Sequence, residues 1–366
     1  MQLAFELSGE HETLPRAEVF ACLDALSIAY EASTLFDRIL VIDAQQLSPE
    51  NELLDALSRR LGLTHHIYEV NGMSALAEQE IVELVNGVDF EAVMDKGDTF
   101  AVRARFVRKS SLLYGKRREL LTRVGACIKG KGYKVNLEQP SRTFVLLFTG
   151  EVCLFSSLLH SVRKAQFEEK RPHFRPFFSP GVIMPKIARA LVNLSEVRAA
   201  ELILDPFCGT GGILIEAGMV GARIGGADVQ EKMVRGAKEN LAFFGLHGEL
   251  LVSDASKLPL KNKSVDAIAT DLPYGRASFV SGYGSGSGSG SDTLSTESRS
   301  IFLERLYQDA LAEMHRVLRP GRRAVIVSNS PSALSRAPTL GFHVLEEHAY
   351  RVHKSLTRHI TVLEKE

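Results

Sequence analysis

Two short stretches hold residues whose types and order suit chemistry: "DPFCGTGG", from Asp205 to Gly212, and "TDLPYG", from Thr270 to Gly275. In the first, an acid closes the apolar run "LILD", and Gly209, Gly211 and Gly212 open the helical segment behind it. Backbone amides can therefore approach a ligand closely at the carboxyl edge of a sheet. A dinucleotide fingerprint would need a glycine at position 214, where the chain has Leu214, so a pyrophosphate-binding enzyme is disfavoured. Asp228 ends the next apolar run, where an acid can accept both hydroxyls of a ribose. Asp254 follows the third run and can reach an adenine amino group, with Ala255 offering its backbone amide. The second stretch sets Asp271, Pro273 and Tyr274 after the fourth run. Cys208, inside the glycine turn, has no base beside it in sequence and reads as a small packing residue. "GACIKGKG", from Gly125 to Gly132, nearly fits a phosphate loop, but Gly132 replaces the magnesium-binding hydroxyl and a helix precedes it, so it reads as basic surface.

Something must hold these stretches on one edge. From Leu202 onward apolar strand, turn and helix repeat, which predicts a doubly wound, mostly parallel sheet ending in an antiparallel hairpin made of "FHVLEEHAYRVH" and "TRHITVLEK". The first seventy residues alternate short apolar runs with helical patterns, as in a ferredoxin-like α+β unit. A second unit follows: "ALAEQEIVELV" as a helix, "TFAVRARFVR" as a strand with Arg103 and Arg105 on one face, "KRRELLTRVGACI" as a helix, then two strands with residues 139–141 as the turn. "KRPHFRPFFSPG", with Pro172, Pro176 and Pro180, reads as a connector. The expected segments are 1–70, 71–160, a linker at 161–180 and a catalytic domain at 181–366. "GYGSGSGSGS", from Gly282 to Ser291, has no side chains to pack and reads as a mobile lid or an engineered replacement of a loop.

A length of 366 residues with 45% hydrophobic content argues for a packed globular protein of two or three domains. No apolar run reaches the roughly 18 residues that span a bilayer. The first twenty residues, with Glu6, Glu10 and Glu12, lack a basic start, so a soluble cytoplasmic protein is expected. Cys22, Cys127, Cys153 and Cys208 form no pair or cluster, and no metal site is expected. The net charge of zero hides an asymmetry. Acids dominate the first ninety-five residues, whereas Lys96–Lys134 holds Asp98 and Glu119 among a dense series of lysines and arginines, the pattern of a polyanion-binding face.

The ordered series of glycine turn and strand-end acids resembles the class I S-adenosylmethionine-dependent methyltransferases. That resemblance implies S-adenosyl-L-methionine as cofactor, with contacts from Asp205, Phe207, Gly209, Thr210, Gly211, Asp228, Val229, Asp254 and Ala255. "DLPY" resembles the [DN]-P-P-[FY] motif of enzymes that methylate exocyclic amino groups of bases, with Leu272 in place of the first proline. Such an amine is a poor nucleophile, because its lone pair is delocalised into the ring. Asp271 and nearby carbonyls can hydrogen-bond its N–H groups, Tyr274 can stack on the base, and Pro273 fixes the backbone between them. A DNA adenine methyltransferase shares this motif, but the basic N-terminal half offers no element for reading a duplex.

That half resembles a THUMP domain, and the chain as a whole, through "TDLPYGRAS" and "RVHKSLTRHI", resembles the archaeal tRNA guanosine-10 N2-methyltransferases. The implied reaction forms N2-methylguanosine and then N2,N2-dimethylguanosine in tRNA. Arg103, Arg105, Arg108, Lys109, Lys129, Lys131, Arg171 and Arg175 are the candidate phosphate contacts, and Arg276 and Ser278 candidate holders of the substrate backbone. The same chemistry at another tRNA or ribosomal RNA guanosine, a non-catalytic tRNA-binding protein, and the need for a small activating subunit all stay open at this point.

Overall fold

The computed structural model describes residues 1–45, 47–48, 52–107, 114–274, 296–354 and 356–366. Arg108, Lys109, Arg276, Ser278 and the Gly/Ser tract lie outside the described residues. The chain forms two compact units: Met1–Arg16 with Leu26–Arg59 and Leu63–Val162, and Ala17–Ala25 with Arg60–Gly62 and Arg163–Glu366.

The first unit contains one eight-stranded sheet built from β1 (Gln2–Leu7), β2 (Tyr30–Phe36), β3 (Ile39–Ala44), β4 (Thr64–Ala75), β5 (Thr99–Phe106), β6 (Lys134–Val135), β7 (Arg142–Phe148) and β8 (Val152–Ser161). Their spatial order is β2-β3-β1-β4-β8-β7-β5-β6. With helices α1 (Leu14–Ala25) and α2 (Glu52–Arg60), the first four strands run in the sequence order β-α-β-β-α-β. Residue 70 falls inside β4. That strand pairs with β1 (Leu3 opposite Glu69) and, through Ala75 opposite Val152, with β8, so one sheet runs through both expected N-terminal segments.

Helices α3 (Glu78–Gly87) and α4 (Arg117–Gly130) turn Ile81 and Val85, and Leu120, Val124 and Ile128, toward the sheet at i, i+4 spacing. They meet an aromatic core in which Phe144 stacks on Phe155 at 5.1 Å and Phe90 lies edge-on to Phe144 at 5.5 Å. Along β5, Phe100 and Ala101 are buried while Arg103 and Arg105 face outward. The region read as two strands holds three. A further turn forms at 149–151, where the Thr149 hydroxyl accepts the N–H groups of Glu151 and Val152.

The second unit carries a seven-stranded sheet of β9 (Leu202–Asp205), β10 (Arg223–Asp228), β11 (Gly248–Val252), β12 (Ala267–Asp271), β13 (Arg323–Ser328), β14 (Phe342–His353) and β15 (Leu356–Lys365). Its order is β11-β10-β9-β12-β13-β15-β14. Neighbours from β11 to β13 are parallel; β15 and β14 add the expected antiparallel hairpin. The connector holds the short helix α5 (Ala165–Glu168) and one 3₁₀ turn, and Pro185 then starts α6 (Pro185–Leu194) at a position where its missing N–H costs nothing. After β9 comes α7 (Gly212–Met219), after β10 α8 (Glu231–Phe243), and before β13 α9 (Thr296–Val317). Helix α9 sets Tyr307, Leu311, Met314 and Val317 into a core with Ile268, Ile326 and Leu363. Among the described residues no helix is long and apolar enough to cross a membrane.

One buried charge fixes α7. Glu216 is fully buried between Lys170 at 2.9 Å and Arg189 at 2.7 Å, and both cations lie over the Phe167 ring. Removing one member of such a cluster leaves uncompensated charge, at a typical cost of about 3–5 kcal/mol. Glu216→Ala should therefore lower stability by about that amount in denaturant melts, and Lys170→Met combined with Arg189→Met should restore part of it.

Candidate active site

Asp205 sits at the last position of β9, where the apolar strand ends and the chain must turn. Gly209 and Gly211 take left-handed backbone angles, φ +48° and +77°. A side chain is rarely tolerated in that conformation, and Gly211 also lies where an added Cβ would be 3.2 Å from that of Ala237. The turn then leads straight into α7, so it adjoins a helix N-terminus, where the first N–H groups lack intrahelical partners.

Carboxylates brace this loop from two strands. Asp205 is buried and its Oδ1 accepts the Phe207 N–H at 3.1 Å and the Thr270 hydroxyl at 2.6 Å. Asp228, ending β10, accepts Gly209 N–H at 3.0 Å on one oxygen and Gln230 N–H at 2.9 Å on the other. Asp254, two residues past β11, accepts Ser256 N–H at 2.8 Å. Burial pushes the Asp205 carboxyl up to about 7 and raises that of Asp228 as well, against the pull of these donors. Asp205 thus stands inside the turn as its support. Phe207 and Val229 are half-buried, whereas Thr210 and Ala255 are buried.

Asp271 ends β12, the neighbour of β9, so the acid-proline-tyrosine run lies on the same edge of the sheet as the glycine turn. The Tyr274 hydroxyl donates to Asp271 Oδ1. Arg358, from β15, donates from Nε to the Tyr274 hydroxyl at 3.1 Å and from Nη2 to the Gly181 carbonyl at 2.9 Å, and Nη2 lies 3.5 Å from Asp271 Oδ2. Tyr307, on α9, donates to the Pro273 carbonyl at 2.5 Å. Burial raises the Asp271 carboxyl to about 6; Arg358 and the Tyr274 hydrogen bond oppose that rise. The Tyr274 phenol is pushed well up by burial and by Asp271. Neither Arg358 nor Tyr307 is signalled by sequence spacing: Arg358 is 84 residues from Tyr274 and looks like an ordinary basic residue of a terminal strand.

The candidate phosphate contacts fare unequally. In the first unit Arg103 and Lys129 are exposed, although Arg103 also donates to the Leu137 carbonyl at 2.7 Å. Arg105 pairs with Glu6 at 2.7 Å and keeps about half of its side chain in solvent, while Lys131 donates to the Asn86 and Val88 carbonyls. In the second unit Arg171 pairs with Glu168 at its surface. Arg175 corrects the sequence reading. It is 5% exposed, its Nε and Nη2 donate to the Lys170 carbonyl, and its Nη1 lies 3.1 Å from where a Cβ on Gly212 would be. Its guanidinium is turned inward against the glycine turn, which removes Arg175 from the surface contacts to the RNA backbone.

A parallel sheet of this strand order, a left-handed glycine turn after its first strand and acids at successive strand ends define a class I methyltransferase domain. Residues 172–279 match the family described as RMKL-like, methyltransferase domain. The chain is 36% identical to the tRNA (guanine(10)-N2)-dimethyltransferase of Methanothermobacter thermautotrophicus, with 100% of both chains covered. It is also 36% identical to the enzyme of that name from Pyrococcus abyssi, over 83% of this chain and 85% of the other. The crystal structure of TrmN from Thermus thermophilus shares the fold over 100% of both chains, with a TM-score of 0.53 and 22% identity. The chain belongs to the tRNA (guanine(10)-N2)-dimethyltransferase family.

The Thr270 hydroxyl favours the ionised form of Asp205, so its loss is felt most where that carboxyl is charged. Thr270→Val should cost about 1–3 kcal/mol in denaturant melts at pH 8.5 and less at pH 5.5, where Asp205 is protonated in the fold. An equal cost at both pH values would contradict the assigned hydrogen bond.

Proposed function

We propose that this protein transfers methyl groups to the exocyclic N2 of guanosine at position 10 of tRNA, giving N2-methylguanosine and then N2,N2-dimethylguanosine. The observation that carries this reading is the placement of Asp271 at the end of β12, with Tyr274 three residues beyond it, beside the strand that leads into the glycine turn, in a chain that aligns end to end with a tRNA guanine-N2 dimethyltransferase.

The residues of the turn fit S-adenosyl-L-methionine. Nothing nearer than 4.0 Å would meet a Cβ on Gly209, so the turn is open on that side. Arg175 Nη1 is buried without a hydrogen-bond partner among the described residues, beside the N-terminus of α7. A stranded cation and a helix N-terminus together suit a carboxylate. Asp228 and Val229 would then lie by the ribose, and Asp254 and Ala255 by the adenine, with Phe207, Gly209, Thr210 and Gly211 lining the amino-acid portion. When bound, this cofactor supplies an electrophilic methyl group on a sulfonium.

The rest of the work falls to the chain. Asp271, as a carboxylate, accepts hydrogen bonds from the guanine N–H groups and favours the pyramidal amine whose lone pair is available to react. Tyr274 stacks on the base, which contributes about 1–3 kcal/mol and offsets part of the cost of unstacking it. Pro273, its carbonyl tied to Tyr307, holds the two side chains in register. Fixing the amine in line with the methyl carbon can account for about 7–11 kcal/mol of the barrier. We assign tRNA backbone binding to residues 1–160, with Arg103, Arg105, Arg108, Lys109, Lys129 and Lys131 as contacts and Arg171 as a further one after the linker. Residues 181–366 act as the catalytic domain.

Incubation with S-adenosylmethionine and an unmodified tRNA transcript should yield both methylguanosines, mapped by nucleoside and fragment mass to position 10; methylation at another guanosine would move the target but keep the chemistry. Asp271→Asn should abolish transfer while leaving S-adenosylhomocysteine affinity within about twofold. In the wild type kcat/KM should rise with pH through about 6, as Asp271 loses its proton in the free enzyme. Its effect on folding has the opposite sign: a carboxyl raised from 3.8 to about 6 favours the fold at low pH, and that contribution is lost as pH climbs through about 6. An activity profile flat from pH 5 to 8 would contradict the role given to Asp271.

A further inference from the structure

We propose that Arg358 is a positioning residue for methyl transfer, contributed by the C-terminal hairpin, which holds Asp271 as a carboxylate and Tyr274 in one orientation. This rests on the reading of Asp271 as the acceptor for the guanine amine.

Arg358 is 4% exposed, and its guanidinium reaches three partners on separate parts of the second unit: the Tyr274 hydroxyl at 3.1 Å, the Gly181 carbonyl at 2.9 Å and Asp271 Oδ2 at 3.5 Å. A planar fork with fixed N–H directions can serve three acceptors at once, which an ammonium on a flexible stem does not reproduce. The geometry also orders the hydrogens. Arg358 Nε–H points at the phenol oxygen, so the phenol must send its own proton to Asp271 Oδ1. Oδ1 is thereby held as an acceptor while Oδ2 lies in the ion pair with Arg358, which together favour the carboxylate needed by the donor N–H groups of guanine.

Beside Arg358, the Tyr274 hydroxyl favours this state through its hydrogen bond, and the remaining groups around Asp271 work against it or leave it unchanged. From β9, Asp205 is a second acid on the same edge; from α9, Tyr307 bonds the Pro273 carbonyl and brings no positive charge; from β13, the Val327 carbonyl takes the Leu272 N–H. Burial favours the neutral acid. Arg358 therefore supplies the charge that keeps Asp271 ionised near neutral pH, while remaining outside the reacting atoms.

The experiment is a pH profile of single-turnover methyl transfer to a tRNA transcript, from pH 5 to 8.5, for the wild type, Arg358→Gln and Arg358→Lys. Calorimetric affinity for S-adenosylhomocysteine is measured on each. Arg358→Gln keeps a donor but removes the charge, so its acid limb should move up by about one pH unit or more, with most of the lost activity recovered at pH 8.5. Arg358→Lys should leave the limb within about half a unit of the wild type and lower the plateau about tenfold, because Tyr274 is no longer fixed. Affinity for S-adenosylhomocysteine should stay within about twofold in both. An unshifted limb in Arg358→Gln, or a loss equal at every pH, would overturn the proposal. Should the glutamine variant not fold, a wild-type plateau in Arg358→Lys would overturn it instead. Asp271→Asn separates the two readings: if it still transfers methyl groups, the role of Asp271 falls, whereas an inactive Asp271→Asn beside an unshifted Arg358→Gln removes only the role of Arg358.

Discussion

The hydroxyl of Thr270 donates to the carboxylate of Asp205 at 2.6 Å, joining two parallel neighbours, β9 and β12, near their ends. The chain leaves β9 toward β10 on one side and reaches β12 on the other, and at such a switch point the loops diverge and open a crevice above the sheet. The residues proposed to meet a ligand there lie at these strand ends or in the loops that leave them. Asp228 ties the glycine turn to β10, Asp205 ties it to β12, and Asp271, Tyr274 and Arg358 carry the chain of hydrogen bonds on to the terminal hairpin and to Gly181. Site geometry is inherited from sheet register, which is among the most strongly specified features of a buried parallel sheet.

The electrostatics follow from the same placement. Asp205, Asp228 and Asp271 are desolvated acids along one edge, each with its carboxyl raised by burial. At the other end of the turn the first N–H groups of α7 and the buried Arg175 guanidinium present the opposite sign. An edge that is negative along the strand tips and positive at one helix end suits a ligand with cationic and anionic parts.

Much of this was legible in the sequence, and the limits are physical. "LILDPFCGTGG" and "VDAIATDLPYG" are apolar strands followed by residues that suit a loop, so the alternation that predicts the sheet also puts Asp205, Asp228, Asp254 and Asp271 at strand ends. Hairpin β14–β15 was equally clear from its alternating runs. What periodicity does not carry is pairing between distant elements. Nothing in "TRHI" marks Arg358 as the partner of Tyr274, and "LYQDA" reads as plain amphipathic helix although Tyr307 bonds the Pro273 carbonyl. Arg175 misled because arginine is usually solvated; its burial depends on the Lys170 carbonyl and the glycine turn, which come together through tertiary folding. The extra turn at 149–151 was hidden because Thr149 and Glu151 interrupt an apolar run only briefly.

The central claim is that cofactor turn and acceptor acid face one another across the ends of β9 and β12. A crystal structure of the protein with S-adenosylhomocysteine and guanosine tests it most directly. The account predicts the nucleoside sulfur between the turn at Asp205–Gly212 and the Asp271 carboxylate, with the guanine amino group hydrogen-bonded to that carboxylate and the ring against Tyr274. Density for S-adenosylhomocysteine away from the glycine turn, or guanine bound with its amino group remote from Asp271, would contradict it.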